Sequence, residues 1–120
     1  MRILVAEDNA DNRDLMVRFL GRRGHDVVVA ETGRAAIELS TAQRPDVVLM
    51  DVSLPDISGL DAARRIRSDA ATAGIPIIAV TAHAMDGDRA RCLEAGCAAY
   101  VAKPIDYDAL DAVLASFDQG

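Results

Sequence analysis

The stretch Val47-Val48-Leu49-Met50-Asp51-Val52-Ser53-Leu54-Pro55-Asp56-Ile57-Ser58-Gly59 decides the fold. Four apolar residues run without interruption into a carboxylate, and a segment punctuated by Pro and Gly follows. A short apolar run without polar alternation fits a strand covered on both faces, as in a parallel sheet flanked by helices. Three other runs have the same form. Ile3-Leu4-Val5-Ala6 ends at Glu7 and Asp8, Ile77-Ile78-Ala79-Val80 ends at Thr81, and Ala99-Tyr100-Val101-Ala102 ends at Lys103, the one lysine of the chain.

Outward from these runs the chain alternates apolar strands with amphipathic stretches, the pattern of βαβ units. Strands are expected at 2–6, 26–30, 46–50, 76–80 and 99–102. A helix over 10–22 turns Leu15, Met16, Phe19 and Leu20 inward, with Gly24 just past its end. A second covers 34–43 and stops before Pro45. A third, over 59–69, buries Leu60, Ala63 and Ile66. A fourth, over 84–95, is rich in Ala and Arg, has few large apolar residues and ends at Gly96. A fifth, over 107–117, repeats Leu110, Val113, Leu114 and Phe117 at i, i+3, i+4, i+7. The fold class is α/β: a doubly wound, five-stranded parallel sheet with five flanking helices, in a single domain spanning 1–120.

Composition narrows the function. A formal charge of -6 argues against nucleic acid, whose footprint is basic, and against an anionic membrane surface. No apolar stretch approaches the roughly 20 residues of a membrane span. The first strand follows Met1 too closely to leave room for a signal peptide. Cys92 and Cys97 match neither a zinc pattern nor a CxxC pair and read as free thiols of a reducing, cytoplasmic compartment. Cys92 reads as a small buried hydrophobe, and His25 as structural or surface. Neither GxGxxG nor GxxxxGK is present to cradle a nucleotide.

Parallel strands bring their C-terminal ends to one edge, where open α/β sheets bind ligands. That edge would hold Glu7, Asp8, Asp51, Thr81 and Lys103. Three carboxylates packed together repel one another, and a hard dication with oxygen ligands resolves the conflict. Mg²⁺, or Mn²⁺ in its place, would take Asp8 and Asp51 directly and Glu7 through water, with the backbone carbonyl of Ser53 as a further ligand. Asp51 could equally act as a nucleophile and form an acyl phosphate. Lys103 and Thr81 would then receive the phosphoryl oxygens. Each of these residues taken singly also fits a cap, a turn or a solvated surface; their coincidence at strand ends favours a site.

On these residues the chain resembles a response-regulator receiver domain of two-component signalling. The matches are Glu7-Asp8, Asp51, Thr81 and Lys103-Pro104, supported by Pro55 and Gly59 and by Tyr100 three residues before the lysine. The resemblance implies a flavodoxin-like sheet in the order 2-1-3-4-5. It implies Mg²⁺-dependent phosphorylation of Asp51 by a histidine kinase or histidine phosphotransferase, and a cis peptide at Lys103–Pro104. It makes Thr81 and Tyr100 a coupled switch that reshapes the face formed by 84–95, 99–102 and 107–117. Ser53 and His83 become rim positions that tune phosphate lifetime. The wording Ile75-Pro76-Ile77-Ile78-Ala79-Val80-Thr81-Ala82-His83-Ala84-Met85 is similar to receivers of hybrid sensor kinases and of stand-alone regulators related to cell-cycle regulators. Such a domain accepts a phosphoryl group without being a turnover enzyme. It would be a monomer with no output domain, passing its signal to a downstream kinase or effector protein. Two other readings stand beside this one. A pseudo-receiver would bind partners without phosphorylation. A phosphatase with an aspartate nucleophile would need Asp-x-Asp, where this chain has Asp51-Val52-Ser53.

Overall fold

The structure, a computed structural model, describes residues 1–82 and 86–117, the side chains of 86–88 excepted. Five strands alternate with five helices: β1 (Arg2–Ala6), α1 (Ala10–Arg22), β2 (Asp26–Ala30), α2 (Gly33–Gln43), β3 (Val47–Asp51), α3 (Gly59–Ser68), β4 (Ile77–Thr81), α4 (Asp86–Glu94), β5 (Ala99–Ala102) and α5 (Tyr107–Ala115). The sheet runs β2-β1-β3-β4-β5 and every neighbouring pair is parallel. The expected class and strand order are therefore found.

Strand residues alternate between the two faces. Ile3, Val5, Val47, Leu49, Ile78, Val80 and Val101 pack with Met16 and Leu20 of α1 and Leu110 and Leu114 of α5. Leu4, Ala6, Val48, Met50, Ile77 and Ala79 pack with Ala36 of α2, Ala63 and Ile66 of α3 and Cys92 of α4. The first core is built on large aliphatic side chains. The second is rich in Ala and Cys, so helices α2, α3 and α4 present small residues to the sheet. Cys92 thus sits where a small apolar residue was expected, and neither Cys92 nor Cys97 is in a disulfide.

Local signals set the helix ends. Asn9, Thr32, Ser58 and Asp106 are N-caps whose side chains accept from Asn12, Ala35, Asp61 and Ala109 amides. Gly96, at φ +94°, closes α4, and the Cys97 amide donates to the Cys92 carbonyl at 3.1 Å, the bond that marks a left-handed helix stop.

Three expectations need correction. Leu15 is not part of the buried stripe of α1: it is 55% exposed. Met16 and Leu20, four apart, define the line that faces the sheet, and Leu15 lies one position, about 100°, off it. Phe19 is half-buried and stacks on Tyr107, with ring centroids 4.6 Å apart. Strands β3 and β4 each begin and end one residue later than expected, so Asp51 and Thr81 are the last residues of their strands. Helix α5 stops at Ala115, two residues early; Phe117 still packs on the α1–α5 core from beyond its end.

Candidate active site

Register brings the acids together. Ala6 pairs with Met50 across β1 and β3, so Glu7 and Asp51 leave the sheet side by side. Thr81 pairs with Ala102, which delivers Lys103 to the same edge, and the Lys103 amide donates to the Thr81 carbonyl at 2.7 Å. Glu7, Asp51 and Thr81 are buried and Asp8 is exposed at the rim. The peptide between Lys103 and Pro104 is cis, as the resemblance implied.

The Lys103 ammonium bridges the two buried acids, donating to Asp51 Oδ2 at 3.0 Å and to Glu7 Oε1 at 3.2 Å. Asp51 Oδ1 accepts the Ser53 amide at 3.0 Å. Among the described residues, Glu7 Oε2 is buried without a hydrogen-bond partner. One oxygen from each of Glu7, Asp8 and Asp51 falls within 4.8 Å of the others.

These contacts split the two buried carboxyls electrostatically. Burial, followed by the neighbouring Asp51 carboxyl, pushes Glu7 from 4.5 up to about 7 against the pull of Lys103. Burial also works to raise Asp51, but the neighbouring Glu7 carboxyl and the hydrogen bonds from the Ser53 amide and Lys103 outweigh it, and Asp51 is held below the usual carboxylate range. Burial would lower Lys103; its hydrogen bonds to Asp51 and Glu7 and their charges raise it instead. Near neutrality Asp51 is an ionised carboxylate and Lys103 an ammonium, while Glu7 keeps its proton to well above the usual carboxylate range.

A divalent cation fits this donor set. An orphaned buried oxygen on Glu7 beside two further carboxylates is a hard, all-oxygen cluster carrying more negative charge than one ammonium can offset. The cleft has a volume of about 430 Å³ and continues past Glu7 and Lys103 to Asn12, Leu15, Ile105 and Tyr107. Exposed Leu15 is therefore part of its wall.

The structure thus brings together Glu7, Asp8, Asp51, Ser53, Thr81, Lys103 and Pro104. Tyr100 is half-buried on β5, and the Arg89 guanidinium lies 5.9 Å from the centre of its ring. His83 lies outside the described residues. His25 is half-buried at the opposite end of the sheet, its Nδ1 3.1 Å from the amino group of Met1. Sequence reasoning missed Arg13. Its guanidinium donates to the Glu7 carbonyl at 3.2 Å and the Asp8 carbonyl at 3.4 Å, and it pairs with Glu31 at 3.2 Å. It ties the loop carrying two of the acids to α1, and its position one turn inside that helix was the available signal.

Comparison with known proteins agrees with this geometry. Residues 3–115 match the response regulator receiver domain family. The polar-differentiation response regulator DivK of Brucella anthropi is 39% identical over 103 residues, covering 86% of this chain and 84% of that protein. The receiver domain of a Pseudomonas aeruginosa sensor histidine kinase, solved with magnesium coordinated in its active-site cleft, is 38% identical. It superposes with a TM-score of 0.90 over 97% of this chain and 95% of that one. The receiver of the yeast response regulator Ssk1, solved with the histidine phosphotransfer protein Ypd1, is 27% identical, with a TM-score of 0.90 over 98% of this chain and 88% of that one. By sequence, by fold and by the residues gathered at its strand ends, this chain belongs to the response-regulator receiver-domain family.

Proposed function

We propose that the chain is a phosphoacceptor receiver of a two-component system or phosphorelay, and that Asp51 is the acceptor. The observation that carries this is the Lys103 ammonium held 3.0 Å from an Asp51 carboxylate that is buried yet ionised. In the transfer, one Asp51 carboxylate oxygen attacks the phosphorus of a phosphohistidine. The O–P bond forms as the P–N bond breaks, and its electron pair leaves on the donor imidazole, which takes up a proton. No base is required, because the nucleophile is already deprotonated.

Glu7, Asp8, Asp51 and the Ser53 carbonyl would hold Mg²⁺, which when bound offsets the charge of the incoming phosphoryl oxygens. Lys103 shifts from pairing with Asp51 to pairing with a phosphoryl oxygen. The Thr81 hydroxyl supplies a second donor, and Tyr100 follows it inward, reshaping the face of α4, β5 and α5. Ser53 and His83 tune the lifetime of the acyl phosphate.

The donor is a histidine kinase or histidine phosphotransferase, and its helix is received along Leu15, Ile105 and Tyr107, the apolar wall of the cleft, with Asn12 beside them. On this reading the chain is a stand-alone, cytoplasmic regulator that signals by docking to a kinase or effector; likeness to the response regulator DivK, of which the matched segment covers 84%, supports the regulator role.

Intact mass after incubation with acetyl phosphate tests the assignment. One phosphoryl group should add in Mg²⁺, none in a metal-free control, and none in Asp51→Asn. Failure of wild type to take up phosphate, with partner binding unchanged in Asp51→Asn, would replace this reading with a phosphorylation-independent interaction module.

A further inference from the structure

The loop between β3 and α3, residues 52–58, carries Ser53 and leads away from Asp51. Its ends are fixed by backbone contacts. The Val52 amide donates to Val80 and the Gly59 amide to Val52. A Cβ on Gly59 would stand 2.0 Å from the Asp51 carbonyl oxygen, so the chain passes there without a side chain.

The middle of the loop is held from another element. Asp56 Oδ1 accepts the Gly33 amide at 2.8 Å and Oδ2 accepts the Arg34 amide at 3.0 Å. The adjacent Ile57 lies against Gly33, where a Cβ would come within 2.5 Å of its Cγ1. Helix α2 has no acid in its own first turn. Its N-cap Thr32 takes only the Ala35 amide by side chain and the Ala36 amide by carbonyl. The carboxylate that the helix start calls for, and the partners of its first two amides, come instead from a loop 22 residues downstream.

We infer that Asp56 is a positioning residue for the phosphoacceptor site, clamping the 52–58 loop onto the start of α2 and so fixing where the Ser53 backbone stands beside Asp51. This rests on the reading of Ser53 as part of the cation site. Without the clamp, the ends of the loop remain tied while its centre is free. The Ser53 amide that now donates to Asp51 Oδ1 is three residues from the released point.

The test compares Asp56→Ala, Asp56→Asn and Thr32→Ala in the full chain. Thr32→Ala removes a cap from the same helix without touching the loop. Three readouts apply: the urea midpoint, the Mg²⁺ dissociation constant by calorimetry, and hydrogen exchange at the Ser53 amide. Both alanine variants should lower the urea midpoint. Only Asp56→Ala should weaken Mg²⁺, by roughly tenfold as for other outer-shell supports, and speed exchange at Ser53. Asp56→Asn keeps one acceptor oxygen and should fall between; it also serves if Asp56→Ala does not fold. Equal Mg²⁺ affinity and equal Ser53 exchange in the Asp56 and Thr32 variants would overturn the inference. If wild type binds no Mg²⁺, the cation site itself falls. Ser53 exchange then decides alone: faster exchange in the Asp56 variants upholds the clamp, and unchanged exchange overturns it.

Discussion

Lys103 Nζ and Asp51 Oδ2 stand 3.0 Å apart at the end of two strands that are not neighbours, with β4 between them. The same ammonium reaches Glu7, the residue after β1, so one side chain spans four strands of the sheet edge. Lys103→Met should take that bridge away and leave two buried carboxyls facing each other. In metal-free buffer at pH 7.5 the variant should be less stable by about 1–3 kcal/mol, the cost of leaving buried polar partners unmade. Addition of Mg²⁺ should recover part of the loss, and phosphorylation by acetyl phosphate should fall sharply. Chemical denaturation with and without Mg²⁺, beside a phosphorylation time course, checks both statements.

Glu7 predicts a pH dependence of unusual sign. Its carboxyl titrates at about 7 in the folded chain against 4.5 ordinarily, so the native state holds the extra proton between these values. Stability contributed by this group is therefore present below about 4.5 and is lost as pH rises through 7. Metal-free wild type should lose on the order of 1–3 kcal/mol across this window relative to Glu7→Gln. Urea midpoints of both proteins at pH 5 and pH 8 measure the difference; parallel profiles would contradict the assignment.

Mg²⁺ should reverse that loss. Binding to the folded acids alone stabilises by about 2.7 kcal/mol at a concentration one hundred times the dissociation constant. Wild type should show a rising Tm in Mg²⁺, and Asp8→Asn a smaller rise. An identical response in the two proteins would remove Asp8 from the ligand set.

Exposed Leu15 separates docking from chemistry. Leu15→Glu leaves the core intact, because the side chain is 55% exposed, yet places a charge on the wall of the cleft. Thermal stability and labelling by acetyl phosphate should be unchanged, while transfer from a phosphorylated histidine phosphotransferase should slow by about tenfold or more. Equal slowing with the small donor would mean that the change reaches the site itself.

Gly59→Ala should be among the most damaging single methyl additions. The new Cβ meets backbone atoms of Asp51 and Val52, which cannot rotate away as a side chain would. A loss of about 3 kcal/mol or more is expected, with weakened Mg²⁺ binding in whatever fraction folds.

Much of this was legible in the chain itself. The four apolar runs announce buried parallel strands, and polar residues at their ends announce the edge where they meet, because an uninterrupted apolar run and its end are local, one-dimensional properties of a sequence. Leu15 was misplaced because periodicity gives the axis of a stripe and not its width: a residue one step off the line formed by Met16 and Leu20 is apolar for the cleft and not for the core. The role of Asp56 is not legible in the sequence, since its partners at Gly33 and Arg34 lie more than 20 residues away and are backbone amides, which no side-chain pattern reveals. Arg13 was overlooked for the same reason; its principal acceptors are the carbonyls of Glu7 and Asp8.

The solitary lysine has a practical consequence for chemical labelling. Among the 120 residues there is one ε-amine, and it sits between Asp51 and Glu7. Amine-acylating reagents therefore have a single side-chain address in this sequence, and its reactivity follows whichever group holds the ammonium at that moment. Carboxylate, phosphoryl oxygen and open water would each give a different acylation rate. The ε-amine is thus a built-in footprint of site occupancy that needs no engineered probe and, in a chain without tryptophan, stands in for the missing fluorophore.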